Sequence, residues 1–117
     1  MNFRSAQERA RELDAYWREH HLLVGPLHGL PVSLMDRFHV AGLDSACGFA
    51  SWAGIKRTSE SEGGIVRSLR QLGAVIFCKT NVPMSMMMGE TANNIIGCTM
   101  NPYNRDLSAG GACGGTL

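Results

Sequence analysis

Phe3, Ala6, Ala10, Leu13 and Trp17 recur at intervals of three and four residues with charged positions between them, the spacing of one apolar stripe along an α-helix. Ser5 and Glu8 are spaced as a capping box, which predicts that the helix starts at Ser5. It is expected to fray at His20 and His21 and to stop at Gly25–Pro26. Partial positive charge is favoured at a helix C-terminus, which accounts for the paired histidines without a catalytic role. Residues 30–34 (LPVSL) and 74–78 (AVIFC) are short apolar runs of strand length. Before the second run, Ile65, Val66, Leu69 and Leu72 mark a helix face, with Ser59 and Glu62 as a second capping box and Gly73 as the stop. Residues 42–57 have no sustained period and read as a long loop, with Phe49 and Trp52 pinning it to the core. Residues 90–117 read as loop throughout.

Strand, helix, strand in that order predicts an α/β fold with parallel pairing. Two strands alone are marginal. Strands apolar on both faces expect neighbours and covering helices, so the chain reads as a slice of a larger sheet. Exposed strand edges and a tendency to self-associate are expected.

Composition changes this picture little. Of 117 residues, 44% are hydrophobic and 18% charged, with a net charge of +1, an ordinary globular balance. No basic stripe points to nucleic acid, and no apolar run is long enough to span a membrane. The charged N-terminus is unlike a secretory signal. Cys47, Cys78, Cys98 and Cys113 are scattered and form no CxxC pair, so reduced, mostly buried cysteines in a cytoplasmic protein are expected, with no metal or other cofactor. Met84, Met86, Met87 and Met88 read as flexible core or interface filling rather than a thioether metal cluster.

Four segments carry a resemblance: GPLHGLPVSLMDRFHVAGLDSACGFASWAG at 25–54, LGAVIFCKTNVP at 72–83, GETANNIIGCTMNPYNRDLSAGG at 89–111 and ACGG at 112–115. In this order they resemble the amidase signature family, most of all its fungal acetamidase or general amidase branch. The resemblance implies a partial slice of an α/β/α sandwich with a mixed sheet, here a single truncated domain over 1–117. It also implies hydrolysis of carboxamide C–N bonds by a serine nucleophile, a cis-serine and a lysine base, without a cofactor. The position of the lysine is taken here by Met35, which is followed by Asp36. The glycine–serine motif reads Gly110–Gly111–Ala112–Cys113–Gly114–Gly115, so Ala112 stands where the cis-serine is implied and Cys113 where a second, more structural serine is implied. The nucleophile is expected beyond Leu117.

A methionine has no protonatable nitrogen and an alanine no hydroxyl. The resemblance therefore predicts a non-catalytic amidase-like protein, a pseudoenzyme or scaffold fragment. The alternative is a segment of an amidohydrolase that acts on small amides only when complete. Cys113 as a replacement nucleophile would need a base, for which His28 and His39 are the candidates. Lys79 lies at a strand end, with no feature aiming it at the site. The resemblance offers Gly110, Gly111 and Cys113 as loop positions for binding a substrate. Their glycines could cradle an anion, but tight-turn geometry accounts for them.

Overall fold

The computed structural model describes residues 3–115. Helix α1 (Phe3–His20) leads to strand β1 (Pro31–Met35), helix α2 (Gly64–Gln71) and strand β2 (Val75–Thr80), followed by two short strands, β3 (Ala92–Asn93) and β4 (Gly97–Cys98). β1 pairs with β2, and β3 with β4, as two separate sheets. Val75 N–H donates to Leu30 O and Asp36 N–H to Thr80 O. The two bonds advance the same way along both strands, which makes the β1–β2 pair parallel. β3 and β4 are antiparallel, with Ala92 opposite Cys98. The chain divides into two compact units, residues 1–33 with 63–78, and 34–62 with 79–117.

In the first unit, α1 buries the middle of its apolar stripe. Ala6 and Leu13 pack with Val75 of β2, flanked by Ala10 and Phe77. Leu13 is sealed from solvent, a burial that stabilises the folded state by about 1.5–3 kcal/mol. The ends of the stripe are uncovered: Phe3 and Trp17 are about half exposed. The helix is already formed at Phe3, so Ser5 lies inside it and not at its cap. Glu8 turns to Arg4 on the exposed face (3.3 Å) instead of reaching back to cap the N-terminus. The far end is where the sequence placed it. His21 takes a positive φ of 51°, and its N–H still reaches Trp17 O, as at a left-handed helix stop.

α2 also begins later than expected. Its N-cap is Gly63, without a side-chain cap, because Glu62 is occupied elsewhere: its Oε1 accepts the Ala41 N–H. Gly73 ends the helix with φ +94°, and a Cβ there would lie 2.8 Å from the His28 Cα. Only glycine permits both the conformation and the contact. Through this contact the 25–30 turn docks by two bonds of 2.9 Å, Leu27 N–H to Leu72 O and Gly29 N–H to Gly73 O, and delivers the chain into β1.

The second unit is held mostly by side-chain-to-backbone bonds. The 42–57 segment is less open than its sequence suggests. A bridge between Asp44 and Lys56 closes it, and residues 50–52 form a short 3₁₀ turn. Trp52 does not pin this loop to the core; it is 45% exposed and leans on Phe49, with ring centroids 4.9 Å apart. Of the methionines, Met84, Met87 and Met88 are exposed and Met86 half-buried, which removes the core half of the core-or-interface expectation. Among the cysteines Cys78 is buried and Cys47 half-buried, whereas Cys98 and Cys113 are exposed, and all four are free thiols. Burial pushes the Cys78 thiol above its ordinary pKa, which keeps it inert. No described helix is long and apolar enough to cross a membrane.

Candidate functional site

Met35 ends β1, half-buried, and the next residue, Asp36, begins the densest polar cluster of the second unit. Asp36 uses its carboxylate twice. Oδ2 accepts the N–H groups of Ala46 and Cys47, both at 2.9 Å, and Oδ1 lies 2.8 Å from Lys79 Nζ. The Lys79 side chain is 9% exposed and donates also to Asp36 O, Asp44 O and Ser45 Oγ, the last two at 2.6 Å. Ser45, fully buried, donates its own hydroxyl to Phe38 O. An ammonium has three donors and no acceptor, so four oxygens around it make a structural tie rather than a poised base. Lys79 therefore ties the end of β2 to the 36–47 loop.

One residue further along β2, Thr80 joins two of the positions singled out in the sequence. Its carbonyl accepts the Asp36 N–H next to Met35, and its Oγ1 lies 3.0 Å from Cys113 Sγ. Met35 and the glycine-rich loop thus flank the same strand end. The partner of Cys113 is a hydroxyl, which cannot act as a base at neutral pH. His28, one of the two histidines considered for that role, already accepts the Val24 N–H at Nδ1 (3.1 Å), a turn-holding bond. His39 is half-buried and has no hydrogen bond to Cys113.

The loop itself is organised by a residue that the sequence did not single out. Thr91 is 2% exposed; its hydroxyl donates to Gly111 O at 2.9 Å and accepts the Gly114 N–H at 2.6 Å. Gly110 and Gly111 have positive φ values of 73° and 84°, in open space. The described peptide bonds are all trans, that of Ala112 included. The Gly110 N–H is taken by Ser108 Oγ, so at least two of the loop N–H groups are spent internally and not aimed at an anion. Asn81 and Asn93 brace the floor: Asn93 Nδ2 donates to Asn81 Oδ1 and Val82 O, and Asn81 Nδ2 to Thr99 Oγ1. A glycine-rich stretch discloses a turn, but not which hydroxyl it will wrap.

Gly110 and Cys113, with Thr99, Met100, Pro102 and Gly115, line a cavity of about 330 Å³, within the range of small-molecule sites. Gly111 and Ala112 are not among its walls. No group of three or more His, Cys, Asp or Glu side chains among the described residues could hold a metal.

Gly114 is the tightest point. A Cβ there would lie 2.8 Å from both the Thr91 and the Thr99 Cβ. Gly114→Ala is expected to cost about 1–3 kcal/mol in a urea titration and to speed alkylation of Cys113 as the loop lifts. An unchanged midpoint would mean that the loop is not anchored at Thr91.

Comparison with known proteins places these features in context. A family model described as Amidase matches residues 1–116. The Acetamidase of Emericella nidulans is 46% identical over 111 residues, 95% of this chain and 20% of that protein. The Acetamidase of Aspergillus oryzae is 49% identical over 110 residues, 94% of this chain and 20% of that protein. Among solved structures, a fatty acid amide hydrolase superposes with a TM-score of 0.87 at 35% identity, covering 96% of this chain and 19% of that one. The chain spans about a fifth of the length of the curated relatives it matches.

Proposed function

Because the chain belongs to the amidase family, we propose that it carries the framework of an amidase's substrate-side loops with the acid–base chemistry removed, and that by itself it hydrolyses no amide. The observation that supports this reading is the pair Met35 and Ala112, a thioether and a methyl at the two positions where the family resemblance implies a lysine base and a proton-relaying serine. Around them the scaffold interactions are intact: Asp36 holds the 46–47 turn, and Thr91 holds the glycine loop. Members of a coupled catalytic set act as a unit, so losing one removes most of the rate.

The nucleophile belongs to sequence outside these residues, and small carboxamides are the substrate class of the complete protein. In the second reading the segment serves an active amidohydrolase once completed, and that reading needs a proton acceptor at position 35. Lys79, the cation nearest to hand at the end of β2, is committed to four oxygens. The uncovered ends of the α1 stripe and the exposed Leu22, Leu23 and Leu30 support association with further chain or with a second copy.

Purified chain incubated with acetamide and propionamide is expected to release no ammonia above the buffer control. Turnover that vanishes in Cys113→Ser would overturn the reading.

A further inference from the structure

Met84, Met88 and Cys98 line one cavity of about 260 Å³ beside the β3–β4 hairpin. We propose that these three sulfurs form a site for a soft monovalent metal ion, Cu(I). This inference is independent of whether the chain hydrolyses amides.

Thioether and thiolate sulfur select Cu(I) over hard divalent ions, and flexible methionines that are not packed away are free to ligate. That is the situation here. Burial in a core would explain the methionine run, but Met84 and Met88 are 45% and 52% exposed. Between them the backbone turns: Ser85 and Met86 both have positive φ, 53° and 58°, a conformation uncommon outside glycine. Cys98, on β4, is exposed, and its thiol donates a long, 4.0 Å bond to Thr99 O, which loss of the thiol proton to the metal releases.

Two asparagines line the cavity beside the sulfurs, Asn93 and Asn94, and the first is already in use. Asn93 Oδ1 accepts the N–H groups of Ile95 and Ile96, and its Nδ2 is bound to Asn81 and Val82. Neither a carboxylate nor an imidazole lines the cavity, which leaves Mg(II) and Ca(II) without carboxylates and Zn(II) with a single thiolate, short of the four N/S ligands it takes. Binding exchanges one proton and no electron: Cu(I) replaces the proton on Cys98 Sγ, the proton leaves to solvent, and Met84 and Met88 each donate a lone pair.

The test is an anaerobic titration of the whole chain with Cu(I) against a chromophoric chelator such as bicinchoninate. One equivalent is expected to transfer to the chain and to show a sulfur-only first shell by X-ray absorption. Outer-shell changes alone cost metal sites about 10–100-fold in affinity. Loss of direct ligands in Met84→Leu/Met88→Leu, and separately in Cys98→Ser, should therefore weaken binding at least about tenfold. The leucine pair keeps volume and apolarity at exposed positions, so folding is preserved. Cys113→Ser should bind as the unmodified chain does. No transfer from the chelator, full affinity in the leucine pair, or loss of binding in Cys113→Ser would each overturn the proposal.

Discussion

Lys79→Met is expected to lower the stability of the chain by about 3 kcal/mol or more, the cost of removing one partner from a buried ion pair. The substitution keeps most of the aliphatic stem, so the loss is electrostatic and not steric. It leaves Asp36 Oδ1, the Asp36 and Asp44 carbonyls and Ser45 Oγ without their shared donor, all in a region with little access to water. Asp36 retains the Ala46 and Cys47 N–H groups on Oδ2, which places the expected cost toward the lower end of the usual 3–5 kcal/mol. A urea titration of the two chains measures it. A change below about 1 kcal/mol, the ordinary worth of an exposed pair, would mean that the cluster is solvated and does not organise the 36–47 loop.

That cluster also marks where sequence reasoning stopped. The stripe from Phe3 to Trp17, the strands at 30–34 and 74–78 and the stop at Gly73 were legible because periodicity and glycine act locally. Both capping boxes misled because the pattern records only spacing. Glu8 has a nearer partner in Arg4, and Glu62 a distant one in the Ala41 N–H. Strands β3 and β4 are two residues each, too short to show alternation, so residues 90–117 read as loop. Lys79 and Thr91 act across 34 to 43 and 20 to 23 residues of chain respectively, and no local pattern discloses such a pairing. Met35 and Ala112 stood out only through resemblance. The geometry adds that Met35 and the loop carrying Ala112 flank the same end of β2, where Thr80 bonds Asp36 on one side and meets Cys113 on the other.

The second large effect concerns catalysis. When residues 25–115 of this chain replace the homologous segment of the Emericella nidulans Acetamidase, acetamide hydrolysis is expected to fall by more than about a thousandfold. That corresponds to about 4 kcal/mol of lost transition-state stabilisation. The identity of 46% over 111 residues makes the exchange feasible, and the scaffold bonds of Asp36, Lys79 and Thr91 travel with the segment. Met35→Lys alone or Ala112→Ser alone should recover little, since on the proposed reading a base and a relay at these positions would act as a unit.

The ammonia released by that chimera, with and without Met35→Lys and Ala112→Ser together, tests the central claim most directly. The account predicts near-background turnover in the unmodified chimera and recovery of most of the parent rate in the double variant. Turnover within about tenfold of the parent while Met35 and Ala112 are still in place would contradict it, and so would a folded double variant that stays silent.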